Sequence, residues 1–130
     1  MSSLTSGTSV RRRILVVDDE PAVRVILVRA LQEAGYDVVA MRDGLAGLNA
    51  ARTATESFDL VVTNNYMPHL TGTEMVAELR RNFPYLPILH LDDLCIPHRV
   101  PLPDDVPNLY KPFSIDRLLE EVQRLLPEPQ

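Results

Sequence analysis

Cysteine is nearly absent. The single Cys95 excludes an internal disulfide and any paired-cysteine metal spacing, which suits a reducing cytosol. Flanked by Leu94 and Ile96 with no activating partner nearby in sequence, it reads as a small packed hydrophobe and not a catalytic thiol. Positive charge is also scarce: 13 basic against 18 acidic side chains give a formal net charge of −5. No cationic field is available to grip a phosphate backbone or an anionic lipid surface, so direct nucleic-acid binding and membrane adsorption are not expected. The run Arg11 to Arg13 reads as a solvated approach to a strand. No apolar stretch is long enough to span a membrane, and the opening MSSLTSGTSV lacks the apolar segment of a secretion signal. Residues 1–10 and 128–130 read as tails, the first of them flexible, and the chain as cytoplasmic. The histidines His69, His90 and His98 fall on turn, strand and loop at unrelated spacings, and no metal site is expected from them.

What is present is enough for one core: 130 residues, 45% of them apolar, with a single domain expected over residues 11–127. The block ILVV, Ile14 to Val17, is continuously apolar and stops at three acids, as a parallel strand buried on both faces does. Pro21 then suits a first helical turn, and Val23, Ile26, Leu27, Ala30, Leu31 and Ala34 repeat at helical spacing until Gly35. YDVVAM reads as a second strand and DGLAGLNAARTA as a helix capped by Asp43; DLVVTN is a third strand, and TEMVAELRRNF a helix with Thr71 or Thr73 as its cap. Leu86 to Leu91 form a fourth strand, NLYKPF contains a fifth, and SIDRLLEEVQRLL is an amphipathic helix capped by Ser114. Alternating strands and helices with short connections imply a right-handed, doubly wound parallel sheet. One connection breaks the alternation. Between the fourth and fifth strands stands DLCIPHRVPLPDDVP, whose prolines 97, 101, 103 and 107 each remove a backbone donor and exclude a regular helix; at most one helical turn is expected, near Leu94 to Ile96.

In an open parallel sheet, ligands bind at the carboxyl ends of the strands. Those ends carry Asp18, Asp19 and Glu20, then Asn64 and Asn65, then Asp92 and Asp93, then Lys111. Paired carboxylates and a lysine in one pocket suit a hard cation and a phosphoryl group. Glu20 is read as a cap for the following helix. Asp18 and Asp19 are read as a functional pair, since adjacent acids at a buried strand end repel and need a compensating cation.

The ordered set ILVVDDEP, GYDVV, DG, FDLVV, MP, TG, PIL and KPF resembles the receiver domain of two-component response regulators over about Arg12 to Leu126. The resemblance implies a flavodoxin-like, five-stranded parallel sheet of order 2-1-3-4-5, here with the fourth helix replaced by the proline-rich loop. It implies that Asp18 and Asp19 help to hold Mg²⁺, that the residue three before Met67-Pro68 accepts a phosphoryl group from a histidine kinase, and that Lys111 contacts that group.

Three positions depart from the pattern. The phosphoacceptor position holds Asn64, and a carboxamide has no anionic oxygen to attack phosphohistidine. The Thr or Ser that follows the phosphoryl group falls on Asp92, or on Asp93 if the register is slipped by one residue, and a carboxylate there would repel phosphate. The aromatic residue that turns inward on activation falls on Asn108; Tyr110 is not expected to take over, on the ground that neighbouring strand residues face opposite sides. With Asn64 neutral, Lys111 is expected to pair with Asp19, Asp18 or Asp92, leaving Mg²⁺ binding weak or vestigial and no cofactor required.

The leading expectation is therefore a pseudo-receiver: an interaction module, not an enzyme, that works without phosphorylation. Its protein partner would be a histidine kinase, an output domain or another signalling protein, docking on the last helix or the proline loop. The alternative is an ordinary phospho-accepting receiver carrying an Asp-to-Asn variant at position 64. A Mg²⁺-dependent phosphohydrolase lacks both nucleophile and general acid.

Overall fold

The computed structural model describes residues 11–93, 98 and 100–127. The strands are β1 (Arg13–Val17), β2 (Asp37–Met41), β3 (Leu60–Asn64), β4 (Ile88–Asp92) and β5 (Asn108–Tyr110). The helices are α1 (Pro21–Glu33), α2 (Gly44–Thr53), α3 (Gly72–Asn82) and α4 (Ile115–Leu125). The strands form one sheet of order β2-β1-β3-β4-β5, every pairing parallel, which is the expected doubly wound architecture. All residues of β3 and β4 are buried, as strands covered on both faces must be.

Strand alternation sorts the core into two layers. Ile14, Val16, Leu60, Val62, Leu89 and Leu91 pack against Leu27 and Leu31 of α1 and Leu118 and Val122 of α4. Leu15, Val17, Val61 and Ile88 face the other way, onto Leu48 of α2 and Met75, Val76 and Leu79 of α3. On this second face, where another helix would cover β4, the proline segment supplies Val106, 5% exposed, with Leu102 packed beside it. No helix occurs among its described residues; the turn expected near Leu94 to Ile96 lies outside them.

The local signals act largely as read. Pro21 opens α1, and Gly35 leaves it with φ 101°, a left-handed conformation that a side chain would strain. Asp43 accepts from Ala46 N, Ser114 from Arg117 N, and Thr71 makes a reciprocal capping box with Glu74, so Thr71 and not Thr73 is the cap. Two expectations fail. Glu20 occupies the cap position of α1 without a side-chain cap bond; Asp18 Oδ1 takes Glu20 N instead, at 2.9 Å. Ile26, counted in the apolar stripe, is 54% exposed. Among the described residues no helix is long and apolar enough to cross a membrane.

Candidate functional site

The carboxyl ends of β1 and β3 meet Lys111, which follows β5, in a single pocket. Asn64 closes β3 and is 4% exposed. Its Oδ1 accepts from Lys111 Nζ at 2.6 Å, while its Nδ2 donates to Asp19 Oδ1 at 3.2 Å and to Tyr66 O at 3.0 Å. A carboxamide has both a donor and an acceptor end, so one residue joins the cation to the anion. The expected ion pair of Lys111 with Asp18, Asp19 or Asp92 is therefore corrected: Lys111 donates to Asn64, and no ion pair recorded among the described residues includes it. The reason is geometric, since the Asn64 amide bridges the lysine and Asp19.

Asp18 is fully buried, and its Oδ2 is the one buried side-chain polar atom without a partner among the described residues. Burial pushes its carboxyl above the ordinary range, against the opposing pull of Glu20 N and the Lys111 charge. An orphaned buried carboxylate oxygen beside a second acid is a donor set suited to a hard cation.

The turn after β3 holds the pocket wall. His69 has φ 70°, and Leu70 N closes onto Pro68 O at 2.8 Å. Gly72 then approaches so closely that an added Cβ would stand 2.4 Å from Asn64 O and 2.8 Å from Asn65 Cα. Only glycine lets α3 begin against the end of β3.

Asp92 belongs to a different cluster. It is 3% exposed, and its Oδ2 accepts from Asn108 Nδ2 at 2.8 Å and lies 2.7 Å from His98 Nε2. Its Oδ1 accepts from Asp93 N at 2.8 Å. Burial alone would raise its pKa, but the hydrogen bonds from Asn108 and His98 lead the effects that outweigh it and hold the carboxyl low. Asn108 Oδ1 meets His90 Nδ1 at 2.9 Å, and His90 Nε2 meets Asn65 Oδ1 at 3.2 Å. A continuous polar chain thus runs from Asn65 through His90, Asn108 and Asp92 to His98. The recorded side-chain hydrogen bonds join Asp19 to Asn64 and Lys111, and Asp92 to Asn108 and His98, so Asp92 is held by a different set of partners.

This second cluster was missed in the sequence. His90 and His98 are not unrelated: they and Asp92 converge, because residues 90 and 92 share the face of β4 that the proline segment covers. The signal was His-x-Asp followed six residues later by His. Tyr110 also needs correction. It lies two residues beyond Asn108, on the same side of β5 and opposite buried Leu109, and is 47% exposed.

The family described as response regulator receiver domain matches residues 14–93. Response regulator MprA of Mycobacterium sp. (strain KMS) is 39% identical over 117 residues, which are 88% of this chain and 50% of the relative. The chain thus spans about half the length of such curated relatives. Among solved structures, the Vibrio cholerae chemotaxis response regulator CheY4 superposes with TM-score 0.75 at 30% identity, covering 89% of this chain and 99% of that one. Thermotoga maritima response regulator TrrA, solved with Mg²⁺ and BeF, superposes with TM-score 0.73 at 34% identity, covering 88% and 98%.

Proposed function

The chain belongs to the response regulator receiver domain family, and from that premise we propose that it is a receiver that signals without phosphorylation. The observation that carries this reading is the Lys111–Asn64–Asp19 bridge. At the position where the family places its phosphoacceptor, Asn64 has no anionic oxygen for a phosphoryl group, and the lysine that would receive that group is already bonded to it. The hydrogen bond from Asn108 to Asp92 supports the same conclusion, since the two positions that would relay phosphorylation are held to each other. The domain, residues 11–127, then acts as a cytoplasmic protein-interaction module with no catalysis of its own. Its partner is a histidine kinase, an output domain or another signalling protein, docking on α4 or the proline segment.

Asp18 and Asp19 fit Mg²⁺ chemically, and a bound ion would neutralise the acid pair. Asn64 Nδ2 already occupies Asp19 Oδ1, so binding is weak, and Mg²⁺ gives up its waters reluctantly. The second reading, an ordinary receiver with an Asp-to-Asn variant at position 64, shares the family match and differs in what the unaltered residue would do. Incubation with acetyl phosphate or beryllofluoride and Mg²⁺, followed by intact mass and amide spectra, tests the proposal. The expected result is no mass gain and no shift; a stoichiometric adduct mapped to this pocket would overturn it.

A further inference from the structure

We propose that His90, Asp92 and His98 form a binding site for a divalent transition-metal ion of the zinc class. One ligand atom from each residue lies within 4.8 Å of the other two. The three come from two elements, β4 and the proline segment, and they bring two imidazoles and one carboxylate, a donor set that suits zinc, cobalt or nickel and not Mg²⁺. Tetrahedral coordination with bonds of about 2.1 Å sets donors roughly 3.4 Å apart. The 2.7 Å contact between His98 Nε2 and Asp92 Oδ2 must open slightly and the wider pairs must close, both by movements of order 1 Å. The His98 side chain is 25% exposed and can supply part of them.

The surroundings are those of a supported ligand set. Asn108 Nδ2 and Asp93 N fix the Asp92 carboxylate. His90 is fully buried, so its ring is held in place by the packing around it. Both its ring nitrogens face asparagine Oδ1 atoms, yet a neutral imidazole has one proton to give. Asn108 is oriented by its donation to Asp92, and Asn65 Oδ1 also accepts from Thr73 N at 3.4 Å. A metal on one nitrogen of His90 leaves the other to donate its proton to an asparagine, which satisfies the ring. At His98 the metal takes the place of the hydrogen shared with Asp92, and the neutral ring carries its one proton on Nδ1 instead. A bound ion would tie the proline segment to the sheet beside the phosphoacceptor pocket without using Asn64, Asp18 or Asp19.

The test is titration of the chelator-treated chain with Co²⁺, followed by its visible absorption, and with Zn²⁺ by calorimetry. One equivalent should bind at micromolar concentration or tighter, with a four- or five-coordinate Co²⁺ spectrum, and millimolar Mg²⁺ should not displace it. His98→Ala should weaken binding by at least about thirtyfold while leaving the far-UV dichroism unchanged, with a small fall in the metal-free melting temperature from the lost contact with Asp92; His90→Gln should weaken binding comparably. The proposal is overturned if no saturable binding occurs, if His98→Ala binds as wild type, if Mg²⁺ competes, or if binding is lost only in Cys95→Ser.

Discussion

Restoring a carboxylate with Asn64→Asp changes what joins Lys111 to Asp19. At 3.2 Å and an effective dielectric near 20, the new charge would repel Asp19 by about 5 kcal/mol. The same expression gives about 6 kcal/mol of attraction to Lys111 Nζ at 2.6 Å, so the two terms nearly cancel. What remains is the lost charge-assisted donation from Asn64 Nδ2, worth roughly 1.5–3 kcal/mol, and the approach of a third acid to buried Asp18. Solvent reaching Asp19 trims both Coulomb figures without changing their near balance. The variant should therefore be less stable by about 2 kcal/mol without divalent cation, a drop in melting temperature of roughly 6–10 °C for a domain of this size. Mg²⁺ should reverse the loss, because three acids and one lysine leave a charge excess that a cation relieves. Thermal unfolding of both proteins in EDTA and in 10 mM Mg²⁺ reads this directly: a Mg²⁺-dependent rise in the variant, and little or none in the wild type. An equal response in both proteins, or a variant as stable as wild type in EDTA, would refute the view that the Asn64 amide joins Lys111 to Asp19.

Gly72→Ala should be strongly destabilising, by about 3 kcal/mol, because its Cβ meets backbone atoms of Asn64 and Asn65 that cannot swing aside; chemical denaturation measures this, and a loss below 1 kcal/mol would mean that α3 can shift away. Glu121 on α4 is held below its ordinary pKa by hydrogen bonds from Arg124 and Arg117. A depressed folded-state pKa contributes stability that is present above the unfolded value, near 4.3, and lost as pH falls through the folded value. Glu121→Gln should thus be less stable than wild type by about 1 kcal/mol at pH 7, and the gap should close toward pH 3; a gap independent of pH would assign the loss to packing instead.

The order of elements, the parallel sheet and most helix starts were legible in the chain because they depend on local rules: apolar strand blocks, helical spacing, Thr71, Asp43 and Ser114 as caps, Pro21 and Gly35 as punctuation. Four prolines likewise forbid a helix between β4 and β5 wherever they sit. The residue types at the strand ends, and the loss of an anionic oxygen at Asn64, were also fixed by sequence alone. Partner choice was not. Charge counting sends Lys111 to a carboxylate, but the tertiary structure puts Asn64 between them, and an amide can serve both. The same counting groups Asp92 with Asp18, whereas the face of β4 on which residue 92 falls turns it toward Asn108 and His98. His90 and His98 look scattered because their meeting depends on where a segment without regular spacing returns to the sheet. Local pattern specifies which groups reach the ends of the strands; only packing decides which of them lie within hydrogen-bond range, since that selection turns on differences of an ångström that no periodicity encodes.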